Sequence, residues 1–302
     1  MVSGFFLYSE NDDEIRKRCT RRIKRLLILT VAVNGYAICK NVAIVTWKGM
    51  DLSETISGLA SVNFWVFNFE FASYMWFVRA LLYIYLFVRF EFVIWNRKRI
   101  ERCMLPVCVI LIVLNLILCK YSTVLGIAVL VDIYQIPSKL LGTAFPDFFI
   151  GYYIGRAYAC GIIQKEKQKY YFTILFVGVI GMCMEYGILE FLKKNMPVCD
   201  YFSTYVMVTG IFLLLLINQN LDFLGISVMG RKYSMWIYVL HMNMRNLISR
   251  LHLEIIVTNE IVIFLCNSIV AYILSILIAY VILAVWNRIK RFLKSLRKVE
   301  NI

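Results

Sequence analysis

A succession of apolar blocks, each long enough to cross a lipid bilayer, restricts this chain more than any other feature. The blocks cover residues 26–46, 76–95, 104–119, 140–161, 170–189, 202–217, 233–251 and 261–286. A hydrocarbon layer ~30 Å thick takes roughly 17–25 apolar residues of α-helix, and a backbone inside it must satisfy its own hydrogen bonds. A closed β-barrel would show short alternating segments, whereas these runs are continuous. The chain is 61% hydrophobic, above the roughly 45–50% of soluble proteins. The predicted fold is all-α: a polytopic transmembrane bundle of about eight spanning helices plus the end of a truncated N-terminal one. No repeat, linker or soluble appendage interrupts it, so residues 1–302 read as a single membrane-embedded domain.

Charge gives the bundle a direction. The net charge is +14, and its basic residues gather at 16–25, 97–102, 165–169, 231–232 and 288–298, always beside apolar blocks. The intervening loops at 47–74, 120–139, 190–201 and 252–260 hold fewer Lys and Arg and several acids. Positive loops stay on the cytoplasmic side, which puts both termini inside. The same placement makes the lipid bilayer the partner of the basic segments and gives a nucleic acid no support. Trp47, Trp65, Trp95 and Trp286 read as interfacial anchors.

Two stretches fit a simple span less well. Residues 124–131 are apolar but short, as in a re-entrant or surface-lying piece, and residues 61–74 mix Asn63, Asn68 and Glu70 with aromatics, as where a chain dips into the interface. Residues 1–8 (MVSGFFLY) resemble the last two turns of a spanning helix that starts upstream. Nine cysteines without a C-x-x-C pair read as small apolar filler, and His241 and His252 are too few for a histidine metal centre. No metal and no bound cofactor are expected.

The polar residues that remain are candidates for a site. Ser234, Tyr238, His241, Arg245, Ser249 and His252 recur at steps of four and three, which lines them along one helix face. An ionisable row at membrane depth is costly and ordinarily faces a water- or substrate-filled interior. Tyr238, His241 and Arg245 are therefore cavity-lining candidates. His241 also reads as a histidine satisfied by hydrogen bonds within the bundle. Arg79 either snorkels to headgroups or lines an outer cavity, paired with Glu70. Pro146, Gly151 and Gly155 tune a helix start and a close packing. Arg18-x-x-Arg21 and Arg22-x-x-Arg25 either anchor the topology or present guanidinium groups on adjacent turns, suited to phosphates.

Taken in order, five motifs resemble the acyltransferase 3 family, integral-membrane enzymes that acylate cell-surface glycans. They are the Ser3, Gly4, Phe5 and Phe6 run, the basic RRIKRLL at 21–27, WFVRALLY at 76–83, FPDFFIGYYIGR at 145–156 and YSMWIYVLH at 233–241. The resemblance covers almost the whole chain. It implies transfer of an acyl group, acetyl foremost, from cytoplasmic acyl-CoA as co-substrate to a hydroxyl of an envelope polysaccharide or lipid-linked sugar, at a bacterial plasma membrane. It makes Arg18, Arg21, Arg22 and Arg25 the donor-binding candidates. The family's first helix carries an arginine and then the histidine held to be catalytic; no such pair occurs in this sequence, which leaves the catalytic residue unassigned and predicts poor turnover. Two other readings stay open: an inactive remnant or partner subunit, and a small-solute or glycan transporter. Only four prolines and no paired repeat rank transport lower.

Overall fold

The computed structural model describes residues 1–49, 53, 56–57, 76–94, 97–117, 142–192, 201–218, 226–249 and 260–299. The stretches at 61–74 and 124–131, with Glu70, Trp65, Trp95 and His252, lie outside them. Among the described residues the regular elements are all helical. Three helices, Asp12–Trp47, Lys165–Phe191 and Asn267–Val285, are long and apolar enough to cross a membrane, and Phe202–Ile217 is apolar but shorter. The chain packs as two compact units, Met1–Leu221 and Asp222–Ile302.

The first unit opens with a one-turn helix, α1 (Val2–Phe5), followed by α2 (Asp12–Trp47). Asn11 caps α2: its side-chain oxygen accepts from the Asp13 N–H at 2.9 Å, and Asp12, Asp13 and Glu14 fill the first turn. Acids at that end offset the helix dipole. The basic run and the apolar block are thus one continuous helix. Hydropathy changes at residue 26, while the backbone bonding runs through.

Next come α3 (Trp76–Ile94), α4 (Arg97–Asn115) and α5 (Phe145–Ala159). Arg22 of α2 meets Tyr85 of α3, and the two helices run antiparallel. Tyr85 and Phe148 of α5 are among the most deeply buried side chains, stacked edge to face at 5.3 Å. Helix α1 lies on α5 with no room for side chains at the crossing. A Cβ on Gly4 would overlap the Phe148 carbonyl, and one on Gly151 the Met1 carbonyl; Gly155 abuts Phe5. Gly151-x-x-x-Gly155 is the small-residue spacing that lets membrane helices touch backbone to backbone, the packing role expected for these two glycines.

The unit closes with α6 (Gln168–Phe191) and α7 (Phe202–Ile217), packed closely where Gly178 meets Met207 and Gly210 meets Leu175. Glu185 of α6 caps α7, its carboxylate accepting from the Phe202 and Ser203 N–H groups at 3.1 and 3.0 Å. These are donors that a helix start leaves unpaired.

The second unit pairs α8 (Ile226–Ser249) with α9 (Glu260–Val299). Buried positions on α9 are small and one turn apart, Ala271, Ser275 and Ala279, and the Ser275 hydroxyl donates back to the Ala271 carbonyl at 2.7 Å. Like α2, α9 carries its apolar block directly into a basic end.

Candidate functional site

The four donor-binding candidates do not share one role. Arg18 donates through Nη1 to the carbonyls of Tyr8 at 2.8 Å and Phe6 at 3.1 Å, and pairs through Nη2 with Glu14 at 2.6 Å. Arg22 donates to the Ser3 carbonyl at 2.8 Å and to the Tyr85 hydroxyl, with its guanidinium over the Tyr85 ring. The accepting carbonyls belong to α1 and the turn after it, oxygens that a helix end leaves without partners. Arg18 and Arg22, one turn apart, are therefore cationic caps on α1.

Arg21 and Arg25, also one turn apart, lie to one side of that pair and are exposed. Arg21 bonds only loosely to its own helix, Nε to the Lys17 carbonyl at 3.4 Å. Lys17 and Lys24 are exposed as well, so Lys17, Arg21 and Arg25 form a cationic stripe with Lys24 beside it. The sequence pairs Arg18 with Arg21 and Arg22 with Arg25; the structure pairs Arg18 with Arg22 inward and Arg21 with Arg25 outward.

A second charged cluster at the same end was not singled out from sequence. The Glu101 side chain of α4 is 8% exposed, and its carboxylate accepts from Arg97 Nε at 2.8 Å, from the Tyr152 hydroxyl at 2.9 Å and from Arg156 Nη1 at 3.1 Å. The Tyr153 hydroxyl donates to the Glu101 backbone carbonyl. Arg97 reaches on to Asp12 and to the Glu10 carbonyl, both at 2.9 Å, and lies over the Tyr8 ring. Burial works to lower the Arg97 pKa, but its bonds to Glu101 and Asp12 outweigh burial and raise it. Burial likewise raises the Tyr8 phenol against the opposing pull of Arg97. Each cation in this cluster stands beside a carboxylate, so it ties α2, α4 and α5 together and adds little field outside. The i,i+4 spacing of Arg97 and Glu101 was its one sequence signal.

Arg79 of α3 is buried, 6% exposed; the Glu70 expected to pair with it lies outside the described residues. In the second unit, Tyr238, His241 and Arg245 lie along α8 as the spacing predicts. The two rings sit 5.6 Å apart, and His241 Nδ1 bonds to the Tyr238 carbonyl. A carbonyl only accepts, so in this bond Nδ1 carries the proton. His241 and Tyr238 are half-buried, and Arg245 is exposed. One bond within its own helix satisfies Nδ1 without reaching a neighbouring helix.

With this geometry in place, comparison with known proteins gives one match. A family model described as an acyltransferase domain matches residues 1–283. No curated protein and no solved structure matches the chain.

Proposed function

The chain belongs to the acyltransferase 3 family, and from that premise we propose that this membrane acyltransferase moves an acyl group, acetyl foremost, from acyl-CoA to a hydroxyl of an envelope polysaccharide or lipid-linked sugar at a bacterial plasma membrane. The proposed topology has eight spans with both termini in the cytoplasm, so the charged end of α2 faces the pool of acyl-CoA.

The observation that carries this reading is the stripe of Lys17, Arg21 and Arg25, exposed on the polar extension of a membrane helix. Two guanidiniums one turn apart can each make bidentate contacts to phosphate oxygens. The arginines around Glu101 are already matched by carboxylates, whereas the stripe is exposed. Held there by its phosphates, the donor directs its thioester toward the bilayer. The acceptor hydroxyl oxygen attacks the thioester carbonyl carbon, the carbon–sulfur bond breaks, and the hydroxyl proton ends on the departing thiolate. A base that takes this proton contributes about 10²–10⁴ in rate, and one donor to the developing oxyanion about 10²–10³.

The test is release of coenzyme A from acetyl-CoA by the protein in lipid nanodiscs, with and without purified envelope glycans. Glycan-dependent release with O-acetyl ester on the glycan is expected. Correctly inserted protein that releases no more coenzyme A with glycan than without it would overturn the reading.

A further inference from the structure

Thr30 stands apart from other helical threonines of this chain. Thr20, Thr46, Thr173 and Thr209 each donate to the carbonyl four residues back, at 2.7 to 3.0 Å. That bond is the usual refuge of a hydroxyl inside a helix. Thr30 is 9% exposed, yet its Oγ1 is buried and makes no hydrogen bond at all. One turn further along α2, Asn34 Oδ1 is buried and unpartnered too. Buried polar atoms almost always have partners, and each exception calls for a reason.

Their position supplies one. Arg22 meets Tyr85 across the α2–α3 seam; by helical phase, buried Leu29 and Val33 share the Arg22 face of α2, and buried Leu82 and Val78 the Tyr85 face of α3. Thr30 and Asn34 each follow a seam residue by one position, about 100° around the helix. Arg79 and Tyr83 follow Val78 and Leu82 in the same way. Seen from one end, antiparallel helices wind in opposite senses, so all four residues fall on the same flank of the pair. At 1.5 Å of rise per residue, Thr30 lies about 12 Å and Arg79 about 9 Å from the Arg22–Tyr85 level. Leu27 and Leu86 hold the same flank nearer the charged end, and both are exposed. The flank is thus open to apolar material at one level and polar at the next.

We infer that Thr30 and Asn34 of α2, with Arg79 of α3, bind the hydroxyl groups of the acyl acceptor inside the membrane-spanning part of the first unit. Asn34 Oδ1 only accepts and the Thr30 hydroxyl both accepts and donates, which suits a ligand that brings O–H groups, and an arginine on the same flank can donate to the same hydroxyl oxygens. The class so defined is a neutral polyol, such as the sugar of a glycan or of a lipid-linked carrier whose tail lies along Leu27 and Leu86. This inference rests on the acyl-transfer reading and adds to it the residues that take the acceptor.

The test is saturation-transfer NMR on the full chain in nanodiscs, with the methyl glycosides of glucose, N-acetylglucosamine and rhamnose as probes and coenzyme A titrated separately. The parent chain is expected to give a signal with at least one glycoside. The double variant Thr30→Val and Asn34→Leu should reduce it about tenfold, while coenzyme A binding and the thermal midpoint hold. Thr30→Val alone keeps the side-chain volume and should give a partial loss, which decides the matter if the double variant fails to fold. An unchanged glycoside signal in the variants overturns the inference, and so does no signal in the parent, which would make the patch a site for buried water only. Failure of coenzyme A to bind the parent would count against the donor reading and leave the acceptor patch standing.

Discussion

Arg18 and Arg22 direct their N–H groups at the Ser3, Phe6 and Tyr8 carbonyls, and a ligand could claim those donors only by uncapping α1. Arg21 and Arg25 carry no such obligation. Hydrogen bonds to charged groups contribute about 1.5–3 kcal/mol each. Replacing Arg21 and Arg25 together by Gln should therefore raise the KM for acetyl-CoA by at least about tenfold, with kcat changed less, in steady-state kinetics over donor concentration. Arg22→Gln should behave differently: donor KM stays near the parent value, and unfolding in detergent shows a loss of about 1–3 kcal/mol. The paired arginines were visible in the sequence, but the division between them was not. It depends on which helix face meets α1, and α1 comes from a separate stretch of chain. Glu101 was missed for a related reason, since its partners Arg156 and Tyr152 reach it from another helix. Glu101→Gln takes the counter-charge from Arg156 and leaves Arg97 with Asp12 alone. Hydrogen bonds to charged groups contribute about 1.5–3 kcal/mol each, so the loss should appear as a drop in the thermal midpoint.

At the scale of elements, the helices of the first unit are joined by small contacts that admit little change. Gly151→Leu places a branched side chain where the Met1 carbonyl lies, and α1 cannot remain on α5. The variant should expose the 1–8 segment to limited proteolysis while the parent resists; equal resistance would remove the crossing from the account. Glu185→Ala leaves the Phe202 and Ser203 N–H groups without their carboxylate. Losing a helix N-cap costs about 0.5–2 kcal/mol, read as earlier hydrogen exchange at the start of α7. The glycine spacing could be read from the sequence because it is local and periodic. The Glu185 cap could not, because a lone glutamate near the end of an apolar helix looks the same whether it caps a neighbour or faces water. Helix limits were also misplaced, since hydropathy marks where lipid contact changes and not where hydrogen bonding stops. Hence α2 begins at Asp12 and α9 ends at Val299, well outside their apolar blocks.

On the scale of the whole molecule, the distribution of charge is the property with consequences outside the bundle. The proposed orientation puts Cys160, exposed in the turn after α5, on the cytoplasmic side beside the basic segments. A membrane-impermeant maleimide should label Cys160 in inside-out vesicles and spare it in intact cells, with the remaining cysteines replaced by Ala; labelling from the cell exterior would invert the topology. One further consequence follows from the continuity of α2. Arg25 and Thr30 are separated by five residues of a single unbroken helix, about 7.5 Å along its axis. If the phosphates dock at one station and the sugar at the other, the covalent backbone acts as a ruler between them. Only a donor whose thioester arm doubles back to match that gauge can deliver its acyl group, whichever glycan arrives.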